Sequence, residues 1–370
     1  MPTNGRACLA ALLLLATAAW GLPQQQQPQK VDDAKVDAAI KAGVLYLRTK
    51  MEKKSGGTER ADELALLTLL HSGVRKGDPV FDAILKRVLE EKLETTYRVS
   101  LQAMALEELD RVTHQKRIFH CAQFLVDNQC KNGQWSYGEP TRLSEPMEEY
   151  DDSVLKGTIG VEPDPNRKPL VQKRIPAMKQ RGGRDHGDHS NSQFAALGLR
   201  ACLDAGILLP REVIETAART WREVQCAPKG GWSYGPKGNP PYGSMTAGGV
   251  AALCLYDHLL KTDWKKDEAV AAGIRWLEAN FTVTENPGRN QQHVLYYLYA
   301  LERACMMYGT ATLGKADWYA EGAKVLLDSQ LNDGSWRRSP IETCYALLFL
   351  KRATRPLLEP RDLDRKTGSP

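Results

Sequence analysis

Four side chains able to hold a metal or move a proton fall within five positions, Asp185, His186, Asp188 and His189, in the run Gly182-Gly183-Arg184-Asp185-His186-Gly187-Asp188-His189-Ser190-Asn191-Ser192. Carboxylates and imidazoles are hard to intermediate ligands, so this crowding suits a divalent cation, with His293 as a further ligand from a distant segment. The same residues admit a structural reading. Asp188 stands where a helix N-cap belongs, Ser190, Asn191 and Ser192 can satisfy free N–H groups, and two histidines in a Gly-rich turn can be merely solvated. A later acid, Glu342, opens an apolar segment. Asp188, His189 and Glu342 are the candidate catalytic groups.

These residues are positioned by a repeat. Three segments end a helix with Gln, Gly and Trp: Gln129/Gly133/Trp135, Gln225/Gly231/Trp232 and Gln330/Gly334/Trp336. The tryptophans recur about a hundred positions apart, roughly two helix hairpins, which marks a repeat architecture. Each copy predicts a clasp, in which the glycine takes the left-handed conformation that closes the last helical turn and the indole folds back over the helix end.

Six strongly apolar segments recur along the chain, at 63–74, 96–109, 190–207, 244–260, 291–309 and 341–353. An amphipathic segment precedes each, near 35–50, 80–93, 114–127, 211–224, 267–279 and 316–329. A helix apolar all round demands burial, whereas a half-charged one demands a surface position. Alternation of the two predicts an all-α, (α/α)6 toroid, six inner helices within six outer ones. Period-two alternation is nowhere sustained. All inner helices of such a barrel run one way, so their N-termini, with free N–H groups and partial positive charge, gather at one mouth. Asp188, His189, Asn191, Ser244, Thr246, Gln292, His293, Glu342 and Thr343 are expected there. Asn191, Ser244, Thr246, His293 and Tyr297 are the candidate binding residues, and Tyr296, Tyr297 and Tyr299 offer aromatic surface.

A chain of 370 residues with 42% hydrophobic residues can bury a large core in one domain. The net charge of +5 is mild, and no basic helix with interleaved aromatics points to nucleic acid. Residues 1–21, with Arg6, the apolar run Ala7 to Trp20 and small residues at the cleavage spacing, read as a signal peptide, and the run is too short for a spanning helix. The expectation is a secreted or periplasmic protein with no transmembrane segment after cleavage. Residues 22–30 read as a polar linker, 31–356 as the toroid domain and 357–370 as a tail. Seven cysteines follow the signal peptide, an odd number without C-x-x-C, and Cys202, Cys254, Cys305 and Cys344 fall in apolar segments as small core residues. The repeat spacing breaks once, at 139–189, a Pro-rich insertion that is acidic first and basic later. Loops of this length are lids, binding loops or solvated excursions.

The clasps, with inner segments opening as Ser190-Asn191-Ser192-Gln193, Ser244-Met245-Thr246-Ala247 and Ile341-Glu342-Thr343-Cys344, resemble the α/α-toroid superfamily of squalene and terpene cyclases and protein prenyltransferase β subunits. From about Val31 to Pro356 the chain is similar to exported bacterial prenyltransferase and squalene-oxidase repeat proteins, through SNSQFAALGLRACLDAGILLP, GGWSYG, SMTAGG, YYLYALERA, DWYAEGA and YALLFLKRA. This resemblance implies a toroid of unassigned activity that binds an apolar or isoprenoid-like ligand in its barrel. It does not carry over cyclase chemistry: with Ser192 on the Thr of the cyclase Asp-x-Asp-Asp-Thr-Ala motif, Ser190 and Asn191 stand on the acidic pair. Glu342 likewise occupies the place of the prenyltransferase zinc-ligating His. Two other readings stand beside it. One is an enzyme acting on polysaccharide, a lyase or hydrolase using Asp188, Glu342 and Arg184 at the mouth; the other is an envelope scaffold or protein-binding module.

Overall fold

The computed structural model describes residues 31–52, 61–141, 168–234 and 239–357, so the expected signal peptide, the linker, much of the insertion and nearly all of the tail lie outside the described residues. Among the described residues twelve α-helices follow one another: α1 (Asp33–Glu52), α2 (Asp62–His71), α3 (Pro79–Glu90), α4 (Thr96–Asp110), α5 (Gln115–Asp127), α6 (His189–Asp204), α7 (Arg211–Glu223), α8 (Gly243–Leu259), α9 (Glu268–Ala279), α10 (Val294–Tyr308), α11 (Trp318–Ser329) and α12 (Pro340–Leu350). The fold is predominantly helical. Strands among the described residues are two-residue pairs, β1 (Ile175–Pro176) parallel to β2 (Ile207–Leu208) and β3 (Thr312–Leu313) antiparallel to β4 (Ala316–Asp317). No described helix is long and apolar enough to cross a membrane.

The even-numbered helices are the apolar ones, and nearly the whole length of α8 and α12 is buried. They contact one another in sequence, α2 with α4, α4 with α6, α6 with α8, α8 with α10 and α10 with α12, and α12 returns to α2. Odd-numbered helices pack against this series, α5 on α4 and α6, α7 and α9 on α8, and α1 on α12. Burying one face only, α7 opposes Val213, Ile214, Ala217 and Trp221 to charged residues. Asp78, Asp188, Asp267 and Asp317 cap α3, α6, α9 and α11, and Ser339 caps α12, each accepting backbone N–H groups that the first turn leaves free.

Each Trp clasp joins three helices. The indole N–H of Trp135, Trp232 and Trp336 donates to Leu125 O, Trp221 O and Leu326 O of the preceding helix at 2.8, 2.8 and 2.9 Å. The backbone N–H of the same residues donates to Ser192 Oγ, Thr246 Oγ1 and Thr343 Oγ1 in the first turn of the next even-numbered helix. The glutamines reach onward: Gln129 Nε2 donates to Val213 O of α7, Gln225 Nε2 to Ala269 O of α9, and Gln330 Nε2 to Ala39 O of α1. The third clasp therefore grips the first helix across 291 residues of chain.

The glycine acts differently from expectation. The left-handed residue closes a turn beyond the helix end rather than the last helical turn, with Gly133 N–H on Cys130 O and Gly334 N–H on Leu331 O. In the second copy that residue is Gly230, with φ of +82°, and Gly231 instead pairs with Cys226. A Cβ on Gly334 would come within 2.3 Å of Ala42 O, so a side chain there would push the closing clasp off α1.

All seven described cysteines are unpaired thiols, and Cys121, Cys202, Cys254, Cys305 and Cys344 are fully enclosed by the core. Replacement of Thr246 by valine keeps the shape but leaves the buried Trp232 N–H without an acceptor. The expected loss is about 1–3 kcal/mol of unfolding free energy, read as a lower urea midpoint, with helical circular dichroism unchanged before the transition.

Candidate functional site

The first turns of α4, α6, α8, α10 and α12 line one cavity of about 440 Å³, which collects Tyr97, Ser190, Ser244, Met245, Tyr296, Glu342 and Tyr345. The loops entering these helices complete it with Tyr234, Tyr242, Arg289, Gln292 and His293. Of the residues expected at the mouth, Ser244, Gln292, His293 and Glu342 are brought together here. Tyr296, expected to offer aromatic surface, lines it too, and Tyr97, Tyr242, Arg289 and Tyr345 join although the sequence did not place them in the site.

The floor is a ring of four aromatic side chains crossing between helices. Tyr97 of α4 lies 4.0 Å from Phe194 of α6 between ring centroids, Phe194 lies 6.3 Å from Tyr296 of α10, and Tyr296 lies 5.5 Å from Tyr345 of α12. A short hydrogen bond between the hydroxyls of Tyr345 and Tyr97 closes the ring. Tyr296 is tied to α6 through Ser190 Oγ at 3.2 Å and through Gln193 Nε2, which donates to its hydroxyl at 2.6 Å. Burial pushes the Tyr296 phenol up to about 12 and raises Tyr97, Tyr299 and Tyr345 as well. At neutral pH these phenols are protonated, so they offer hydroxyl hydrogen bonds rather than phenolate bases.

On the wall, the Arg289 guanidinium stands 4.5 Å from the centre of the Tyr242 ring, a cation–π contact that holds a positive charge at the rim. Asn286 bonds both the backbone N–H and the hydroxyl of Ser244, at 2.9 and 3.1 Å, and so fixes the start of α8. His293 has left-handed backbone with φ of 57° and Asn290 does too, which is why α10 starts later than its apolar pattern suggests.

The Asp185 to His189 cluster does not converge. Asp185 is exposed and pairs with Lys131 at 2.7 Å, and His186 is exposed. Asp188 caps α6, accepting the backbone N–H and the side-chain amide of Asn191, both at 2.8 Å. His189 is 2% exposed, stacked on Trp221 at 4.6 Å with Nδ1 on the Ser233 carbonyl at 2.5 Å. Because a carbonyl only accepts, Nδ1 carries the proton. No three His, Cys, Asp or Glu among the described residues are grouped as a metal would need. The physical reason is that the Gly-rich segment is laid against the first clasp: Asp188 N–H bonds Trp135 O and Gly183 N–H bonds Gln129 O, and a Cβ on Gly187 would meet Trp135 O at 2.4 Å. Its glycines permit backbone contact, and its polar residues serve that contact.

Other expected binding residues also have structural places. Thr246 is buried as the acceptor for Trp232 N–H, and Asn191 is held by Asp188. Tyr297 is buried behind the cavity beside Gly243. One position along the helix turns a side chain by about 100°, so the cavity receives Tyr296 and the core packing receives Tyr297. Ser190 and Gln193 of α6, which bond the Tyr296 hydroxyl, mark the side of α10 that faces the cavity.

No protein-family model matches the chain, and no curated protein matches it in sequence.

Burial lowers the imidazole of His189 below its ordinary value of 6.5. The unfolded chain takes up a proton near pH 6.5 that the folded chain refuses, so stability from this group is lost as pH falls from 6.5 toward the depressed value. His114, held down at about 4, acts in the same direction, whereas Glu302, raised to about 7, acts in the opposite one. The expected result is that His189→Gln destabilises less, relative to wild type, at pH 5 than at pH 7, as measured by urea unfolding. A gap constant with pH would assign no titration to this residue.

Proposed function

We propose that the twelve helices form an (α/α)6 toroid, even-numbered helices inside and odd-numbered ones outside, of the cyclase and prenyltransferase kind that the sequence resembles. The cyclic order of inner contacts and the grip of Gln330 on α1 support this reading. We propose further that the mouth cavity binds a hydroxylated ring ligand carrying an acidic group, such as a uronate-bearing unit of an extracellular polysaccharide. Export through residues 1–21 is part of the same proposal.

The observation that carries the ligand class is the lining itself: phenol hydroxyls of Tyr97, Tyr296 and Tyr345 at the floor, and the Arg289 guanidinium at the rim. A sugar ring presents apolar faces to aromatic rings and hydroxyls to hydrogen-bonding edges, and Tyr side chains supply both. An acidic substituent matches Arg289. An isoprenoid chain is favoured less, since it would run down the barrel where the hydrogen-bonded aromatic ring crosses. The proton-transferring groups of the described lining are Glu342 and His293, with Glu342 its one carboxylate. That composition suits binding, or proton abstraction beside a carboxylate neutralised by Arg289, better than hydrolysis by a pair of carboxylates.

Thermal unfolding of the full chain with acidic oligosaccharides, neutral oligosaccharides and isoprenoid diphosphates tests the reading. An acidic oligosaccharide at about a hundred times its dissociation constant is expected to add about 2.7 kcal/mol. Arg289→Ala is expected to weaken it about tenfold or more, and Tyr296→Phe severalfold. Stabilisation by the isoprenoid diphosphate alone, unaffected by either substitution, would return the site to the apolar reading.

A further inference from the structure

Beneath the aromatic ring, a second cavity of about 220 Å³ lies among the C-terminal halves of α2, α4, α6 and α10 and is crossed by Ala353, Thr354 and Arg355. Its carboxylates are already neutralised. Lys168, arriving from the insertion, pairs with Glu107 and with Glu108 at 2.8 Å, Arg355 reaches Glu108 at 2.9 Å, and Arg200 reaches Asp204 at 3.3 Å. Burial holds His71 down at about 4, so its imidazole is neutral there.

Arg303 differs from these cations. It is 1% exposed, lines the cavity, and forms no ion pair among the described residues. Nη2 donates to Gln193 Oε1 at 2.9 Å, and the guanidinium lies 4.0 Å from the Tyr299 ring centre and 5.2 Å from that of Phe194. Nη1 is enclosed, with no hydrogen-bond partner among the described residues. The neighbouring Glu302 accepts both the N–H and the hydroxyl of Thr354 and acts on Arg303 only through space, without a direct ion pair. An uncompensated buried charge is strongly unfavourable, and the ring faces around Arg303 supply only part of what a counter-ion would.

We propose that this cavity is a binding site for a small oxyanion, a phosphate or a carboxylate group, which accepts from Arg303 Nη1 and is drawn in past Arg355. Planar guanidinium geometry matches both groups. The cavity volume admits an anion of a few heavy atoms, so a long-chain ester would bind here only by its head. The site is separated from the mouth by Tyr296, Gln193 and the aromatic ring, and the proposal does not rest on the saccharide reading.

Thermal shift and isothermal titration of the full chain with inorganic phosphate and with acetate, against chloride at matched ionic strength, test it. The expected result is a saturable rise in Tm with one or both oxyanions beyond that of chloride, and the stronger of the two identifies the source chemistry. Arg303→Lys, which keeps the charge and loses the fork, is expected to weaken binding about tenfold, and Arg355→Glu, at an exposed rim position, severalfold or more. If Arg303→Lys does not fold, Arg355→Glu alone decides. Oxyanions no better than chloride, or affinities unchanged in the folded variants, would overturn the proposal.

Discussion

A single kind of contact organises this molecule: a buried indole whose N–H is satisfied by the helix before it while its own backbone N–H is satisfied by a hydroxyl on the helix after it. An indole nitrogen sealed in a core without an acceptor is costly, so each clasp tryptophan is favoured where a helix end presents a carbonyl. Leu125, Trp221 and Leu326 present theirs at that point. Adding the glutamine amide, each clasp sets the angle between three helices with directional bonds, which apolar packing alone would leave loosely defined. The third copy, by gripping Ala39, ties the last helical pair to the first. The mouth cavity depends on this closure, because Tyr345 of α12 must face Tyr97 of α4.

The interior enclosed by these helices is polar at its centre. Ser190, Gln193, Tyr296 and Arg303 form a continuous hydrogen-bonded chain between α6 and α10, and Tyr97 with Tyr345 forms a second bridge between α4 and α12. Buried polar networks of this type are favourable when satisfied and costly where one donor is left over. The division of the interior into two cavities follows. One is hydroxyl-rich and lies at the N-termini of even-numbered helices; the other is charged, with the buried Arg303 in its lining.

The returning arm of the insertion is a packed strap. Gln115 binds Lys173 O, Gln123 binds Met178 O, and Asp127 accepts the N–H of Gln180, so the arm climbs α5 one contact after another before entering α6. Its first described residue, Lys168, neutralises acids at the lower cavity, and its last residues lie against the first clasp. One segment thereby touches the surroundings of both cavities.

Much of the helical organisation was legible in the sequence, because it rests on short-range physics. Apolar and amphipathic segments alternate with helical periodicity, Asp and Ser stand at N-caps, and the Gln-Gly-Trp spacing places an indole within reach of its own helix end. The predominantly helical class and the twelve helices of the described residues follow from those local choices. The site was less legible. Asp185, His186, Asp188 and His189 are crowded in sequence, but sequence proximity does not say which way a side chain turns, and backbone contact with Trp135 turned them toward a salt bridge, a cap and an indole face. Tyr97, Tyr296 and Tyr345 are separated by up to 248 residues and meet because α4, α10 and α12 surround one space. What the sequence by itself determined was which segments are helices and which of their faces are buried, since both depend on neighbours a few residues away. Which polar groups share a cavity, and which of the four adjacent ligand-type residues are already consumed by structure, was decided by tertiary packing, since those contacts exist only once distant segments are held together.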